Sequence, residues 1–310
     1  MIPKKLFVID AMAMIYRNYY GYYQQNIRNS NGFLTSAIYG CAVSLMQLIE
    51  KENPDYLVIA SDTKGKVFRH ELYPQYKANR KATPEDLLEQ LPLIYEMFDL
   101  FQCKTITKTG YEADDIIGTI AKQCENNHLF CYIVSRDKDF LQLINDTTYL
   151  YYTQKGNTVQ IVDKQGVFEK FSCLPSQVID ILSIWGDAAD NIQGVPGIGE
   201  KGAQKLIRQF GSLENIYKNI DQLTNKRQQK ALSEHQELAF LAKQLVTIKT
   251  DVELDFSIDD FIFDHKQAIA SQELYDFFKK LEMQSLMNRI LINLNHLSKQ
   301  TKSYAMDIRQ

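Results

Sequence analysis

The chain has 310 residues, 45% of them hydrophobic and 24% charged, and 35 Lys and Arg stand against 38 Asp and Glu for a net charge of −3. That is ample for one compact domain plus an appended subdomain, and ordinary for a soluble globular protein. No apolar stretch approaches the ~20 residues that span a bilayer, "MIPKKLFVID" lacks a signal-peptide pattern, and five scattered cysteines without C-x-x-C spacing exclude a disulfide frame and a zinc site and point to a reducing cytoplasm.

In chain order, three apolar runs end in aspartate: "LFVID" on Asp10, "YLVIASD" on Asp62, and "FCYIVSRDKD" on Asp137 and Asp139. Short β-rich runs separated by helical patterns predict a mostly parallel central sheet flanked by helices, an α/β fold. "SAIYGCAVSLMQLIEK" reads as a helix with Ile38, Ala42, Leu45 and Ile49 on one face. A second helix is expected at "TPEDLLEQLPLIYEMF", with Thr83 as N-cap and Pro84 in the first position, and a third at "YEADDIIGTIAKQC". "YLYYTQKGNTVQIV" predicts a hairpin around Gly156-Asn157. From about residue 174 the pattern turns helical, and after about residue 290 it becomes polar and weakly patterned. The expected domains are an α/β core over 1–173, a helical subdomain over 174–290 and a tail or linker start over 291–310.

Strand ends and helix starts carry nine acids: Asp10, Asp62, Glu112, Asp114, Asp115, Asp137, Asp139, Asp187 and Asp190. Ligands sit at the carboxyl ends of strands in such sheets. Crowded carboxylates raise one another's pKa and destabilise a fold unless cations neutralise them. All-oxygen donors with no histidine among them favour hard ions, Mg²⁺ or Mn²⁺. With those nine carboxylates set aside, the balance moves from −3 to +6, a modestly basic body suited to nucleic acid.

Residues 64–81, "KGKVFRHELYPQYKANRK", hold six basic residues, Arg69, Lys77 and Arg80 among them, interleaved with Phe68, Tyr73 and Tyr76, a combination that grips single strands. "GVPGIGEKG" has no strand before it, which weakens a dinucleotide reading of Gly197, Gly199 and Gly202. Glu200 stands where a P-loop needs lysine. A helix-hairpin-helix remains, with Gly194, Gly197 and Gly199 holding a backbone phosphate and Lys201, Lys205 and Arg208 on the following helix.

The motifs "VFRHELYPQYKANR", "GYEADDIIGTIA", "SRDKDFLQL" and "GDAADNIQGVPGIGEKGA", in this order, resemble the 5′ nuclease (5′→3′ exonuclease) domain family of bacterial DNA polymerase I, within the flap endonuclease superfamily. The resemblance implies a PIN-like core, a helical arch at about 64–92 and a helix-hairpin-helix subdomain. It implies a first metal site of Asp10, Asp62, Glu112 and Asp114, and a second of Asp115, Asp137, Asp139, Asp187 and Asp190. It matches Lys77, Arg80 and Arg17 to catalytic basic positions, makes Tyr76 a base-stacking residue, and places Arg69 among the DNA contacts. The implied cofactors are two or more Mg²⁺, with Mn²⁺ able to substitute and a monovalent cation at the hairpin. The implied partners are DNA with a 5′ flap or 5′ end and an attached or associated polymerase, with no membrane and a monomeric chain. Ala11, Ala188, Ala189, Gln193 and Gly202 depart from the family pattern, and none removes a carboxylate. The competing reading is a non-catalytic DNA junction-binding protein, which loss of metal-site acids would signal. A PIN-type ribonuclease would lack the hairpin, and a receiver-like phospho-acceptor explains neither the hairpin nor nine acids.

Overall fold

The computed structural model describes residues 3–154 and 158–307. The chain forms two compact units, one of residues 1–61, 83–106 and 255–310, the other of residues 62–82 and 107–254.

In the first unit β1 (Lys5–Asp10), β2 (Tyr56–Ala60) and β3 (Lys104–Ile106) are parallel neighbours, with Val8 beside Val58 and Ala60 beside Ile106. β1 and β2 are buried almost throughout, which is why they read as unbroken apolar runs. The helix Ser36–Glu52 sends Ile38, Ala42, Leu45 and Ile49 into the core as its periodicity predicts. A Cβ on Gly40 would lie 2.7 Å from the Tyr22 ring and 2.9 Å from Asn18 Cβ, so only glycine lets the helix Ala11–Tyr22 pack this closely.

Two expectations change here. The helix expected from Thr83 is two helices, Glu85–Leu88 and Leu91–Leu100. Pro84 is extended at ψ 140° and stands outside the first of them, while the Thr83 hydroxyl lies 2.8 Å from Tyr16 Oη instead of capping a helix. The polar stretch after 290 continues a helix, Gln284–Asp307, anchored where Leu286, Met287 and Ile290 bury one face.

In the second unit β4 (Phe130–Val134) runs parallel to β5 (Thr148–Thr153), and β6 (Val159–Val162) runs antiparallel to β5. The hairpin arms are thus as expected, and the turn at Gly156-Asn157 lies outside the described residues. Beyond β6 the unit is helical. Lys243, on the helix Gln236–Val246, reaches Asp180 and Glu214 at 2.7 Å each, tying the helices Val178–Trp185 and Leu213–Lys218 together. All five cysteines are free and buried.

Candidate active site and nucleic-acid interface

In the first unit Asp10 closes β1 and caps the helix after it, Oδ1 accepting the Ala13 N–H at 3.0 Å. Arg17 lies one and a half turns along that helix, half-buried.

In the second unit the helix Ala113–Asn126 organises the acids. Asp62, exposed, accepts the Ala113 N–H at 2.8 Å, and Glu112 is the N-cap residue. Asp114 lies in the first turn, half-buried, where the helix dipole favours a carboxylate. Asp115, on the same turn, is fully buried. Its Oδ1 accepts from Arg69 Nη2 at 2.8 Å and Lys249 N at 2.9 Å, and its Oδ2 from Arg69 Nη1 at 2.7 Å and Glu112 N at 3.2 Å. A carboxylate has about four acceptor sites. Asp115 has all of them filled in this conformation, where it anchors the fold.

Arg69 is its counterpart. Its remaining N–H groups donate to Glu112 at 2.8 Å, Leu245 O at 2.8 Å and Thr247 O at 2.9 Å, which uses all five donors inside the protein. Burial alone would lower its pKa, but Asp115 and Glu112 outweigh that and raise it. At 2% exposure it is buried in this conformation.

The basic segment lies on the acids. The Tyr76 hydroxyl sits 2.9 Å from Glu112 Oε2 and 3.0 Å from Asp190 Oδ2, its one proton shared between them. Burial, then Glu112 and Asp190, push its pKa up, so it stays a neutral donor. With 3% of its surface exposed, Tyr76 presents no ring face to solvent in this conformation. Lys77 Nζ pairs with Glu112 and lies 3.6 Å from Asp190, while Arg80 Nη2 meets Asp190 Oδ1 at 2.6 Å. Burial works to raise the Asp190 carboxyl, yet Lys77 and Arg80 hold it below the ordinary value. Backbone contacts fix this docking: Lys77 N–H donates to Asp190 O at 2.9 Å, Asn79 Nδ2 to Ala188 O at 2.7 Å, and Asn191 Nδ2 to Gln75 O at 2.7 Å. Lys77 takes φ +56°, a left-handed conformation costly for lysine.

A second group gathers where β4 ends. Asp137 Oδ1 accepts the Asp139 N–H at 2.9 Å and starts the short 3₁₀ helix Lys138–Leu143. Lys138 Nζ lies 2.9 Å from Asp187 Oδ2 and 3.2 Å from Asp139 Oδ1. The second contact is an ion pair without hydrogen-bond geometry, for Asp139 Oδ1 is buried and accepts no hydrogen bond. Burial first, then Asp137, push the Asp139 carboxyl up to about 7, against the pull of Lys138.

Among the described residues no three acidic, histidine or cysteine side chains stand close enough to hold a metal in this conformation, in which lysine and arginine side chains pair with several of the acids. The donors nevertheless fit a hard divalent ion. They are carboxylate oxygens, Asp139 Oδ1 is buried without a hydrogen bond, and the Lys138 ammonium is a stand-in cation shared by Asp139 and Asp187. Sequence reading passed over Lys138, although a lysine between two acids in "RDKD" is itself a local signal.

The glycine hairpin follows Asp187 and Asp190. A Cβ on Gly194 would sit 2.3 Å from the Trp185 carbonyl carbon, so the turn is closed against the end of the preceding helix. Gly197, at φ +81°, is exposed, and Gly199 is the N-cap of the helix Glu200–Phe210. That helix buries Ala203, Leu206 and Ile207 and exposes Lys201, Lys205 and Arg208 on the opposite face. Gly202 sits close to Ile198, whose Cγ2 would lie 3.0 Å from an added Cβ, so a larger residue would have to displace it.

These features are those of a 5′ nuclease, and the chain belongs to the 5′-3′ exonuclease family. Residues 5–172 match the family described as 5′-3′ exonuclease, N-terminal resolvase-like domain, and residues 173–269 match 5′-3′ exonuclease, C-terminal SAM fold. The chain is 37% identical over 288 residues to DNA polymerase I of Bacillus subtilis, covering 93% of this chain and 32% of that protein. DNA polymerase I of Streptococcus pneumoniae is 36% identical over 287 residues, 91% of this chain and 33% of that protein. The chain thus spans about a third of the length of these relatives. Among solved structures, T5 5′-exonuclease with bound zinc superposes at TM-score 0.66 with 25% identity, over 90% of this chain and 99% of that one. A bacteriophage T5 flap endonuclease complex with DNA and metal ions shares the fold at TM-score 0.65 and 24% identity, over 92% of this chain and all of that one. Among the described residues no helix is long and apolar enough to cross a membrane.

Proposed function

We propose that the chain is a divalent-metal-dependent 5′ nuclease that hydrolyses phosphodiester bonds at 5′ ends and 5′ flaps of DNA in replication and repair. The observation that carries the reading is the docking of Lys77 and Arg80, from the basic segment, on Glu112 and Asp190 beside a glycine hairpin and an exposed basic helix. On the family pattern, Asp10, Asp62, Glu112 and Asp114 would hold one ion, and Asp115, Asp137, Asp139, Asp187 and Asp190 another; Asp115, its acceptor sites filled by Arg69 and backbone N–H groups, would serve that site as an anchor and not as a direct ligand. Divalent ions bound there supply a water of lowered pKa and charge stabilisation for the attacking and leaving oxygens.

The chain's own residues do the rest. Lys77, Arg80 and Arg17 neutralise charge on the transferring phosphoryl group, Arg80 with its planar fork. Gly194, Gly197 and Gly199 bring backbone N–H groups to a duplex phosphate several nucleotides away, and Lys201, Lys205 and Arg208 add charge without reading sequence. Asp187 and Asp190 lie a few residues before that hairpin, so the chain itself fixes the distance between grip and cut. Residues 64–92 serve as the arch over a 5′ single strand, a monovalent cation supports the hairpin, and a polymerase acts with this monomer in the bacterial cytoplasm.

The test is cleavage of a 5′-labelled DNA flap in Mg²⁺ or in EDTA, beside an RNA strand of the same sequence. Metal-dependent release of a short product from the DNA is expected. Tight flap binding without cleavage would leave a junction binder, and preference for the RNA would make it a ribonuclease.

A further inference from the structure

Lys138 belongs to neither the catalytic basic set nor the hairpin, yet it bridges two of the acids gathered after β4. Its ammonium lies 2.9 Å from Asp187 Oδ2 and 3.2 Å from Asp139 Oδ1. Asp187 Oδ1 accepts the Ala189 N–H at 3.1 Å, which leaves its Oδ2 to Lys138, and Asp139 Oδ1 is buried with no hydrogen bond of its own. Lys138 is thus the cation that Asp187 Oδ2 and Asp139 Oδ1 share. Its side chain is 23% exposed, against 13% for Asp139 and 7% for Asp187, so the cation has a way out to solvent that the acids lack.

We propose that Lys138 is a built-in counter-cation that holds Asp139 and Asp187 together in the metal-free protein and competes with the divalent ion for them. The inference rests on the nuclease reading, which makes those two acids ligands. An inner-sphere Mg²⁺ bonds oxygen at ~2.1 Å. An ammonium on the same two oxygens would then be a near neighbour of a doubly charged ion, and like charges at such range repel strongly. The two cations exclude one another, and the flexible four-carbon stem of lysine lets the ammonium withdraw. Lys138 therefore sets how tightly the site takes its metal and keeps the acids from repelling one another before it arrives.

The test uses Mn²⁺ alone, without DNA, titrated calorimetrically into the native chain, Lys138→Gln and Lys138→Arg. The Gln chain is expected to bind Mn²⁺ about tenfold more tightly and to unfold at lower temperature in EDTA, while the Arg chain, which keeps the charge, gains no affinity. In the native chain, acylation of the Lys138 amine by a soluble amine-reactive reagent, read by mass spectrometry, is expected to speed up when Mn²⁺ is added. Equal or weaker Mn²⁺ binding by the Gln chain overturns the inference. Should that chain fail to fold, the native labelling decides, and a Lys138 rate indifferent to Mn²⁺ overturns it. If the native chain binds Mn²⁺ nowhere, the nuclease reading itself falls.

Discussion

Asp115→Asn separates a structural anchor from a metal ligand. The native carboxylate is fully buried and accepts four hydrogen bonds, from both terminal nitrogens of Arg69 and from the backbone N–H groups of Glu112 and Lys249. Asparagine keeps one acceptor oxygen and turns an NH₂ toward two of those donors. Hydrogen bonds to a charged group contribute about 1.5–3 kcal/mol each, and removing one partner of a buried ion pair costs about 3–5 kcal/mol. Arg69 keeps Glu112 and two backbone carbonyls as partners. That places the expected loss near the lower end, about 3 kcal/mol, readable as a fall in the urea midpoint. Mn²⁺ affinity, measured on the folded variant, should stay within about twofold of native, since a carboxylate with no free acceptor site contributes no ligand. An Asn chain as stable as the native one that binds Mn²⁺ tenfold more weakly would refute the reasoning and return Asp115 to the ligand set.

Arg208→Ala should weaken duplex binding in EDTA and lower the slope of log affinity against log salt by about one unit, because one phosphate is no longer neutralised, and sequence preference should not change; an unchanged slope, measured by fluorescence anisotropy, would take Arg208 off the interface. Glu214 has its carboxyl held below the ordinary glutamate value, first by its hydrogen bond to Lys243. A depressed folded pKa gives stability that is present above the unfolded value near ~4.3 and is lost as pH falls through the folded one. Urea midpoints followed from neutral pH down to acid should therefore decline less steeply in Glu214→Gln below about pH 4.3, by a modest amount because the side chain is 45% exposed.

Where local pattern decides structure, the sequence was legible. β1, β2 and β4 announce themselves as short apolar runs, and the helices Ser36–Glu52 and Ala113–Asn126 as periodic faces with clear starts. β3 has three residues, too few for any period, and was missed. The split at residues 89–90 escaped because Gln90 breaks no local rule. Its side chain is buried and accepts the Ala37 N–H at 3.0 Å, a tertiary reason. At the site, residue types pointed to carboxylate chemistry, but the state of each carboxylate depended on partners far along the chain. Asp115 looks like its neighbour Asp114 until Arg69, 46 residues away, fills it. Tyr76 looks like an exposed aromatic in a basic loop until Glu112 and Asp190 bury its hydroxyl.

The charge pattern that first suggested a nucleic-acid partner divides into two kinds of cation once the partners are known. Arg69, Lys77, Arg80 and Lys138 all lie on carboxylates, so none of them is idle positive charge waiting for a phosphate. Lys201, Lys205 and Arg208 stand exposed on one face of a helix that has buried the other. Of the first kind, Lys77 and Arg80 meet substrate only by giving up an ion pair, and Lys77 has a further reason to move. Its left-handed backbone, held by the Asp190 carbonyl, stores on the order of 1 kcal/mol that release recovers. The second kind meets a duplex with no rearrangement. Grip and cut therefore respond to different perturbations: salt acts first on the exposed helix, where screening is full, and last on the buried pairs of Arg69 and Lys77 with Glu112, where it is slight.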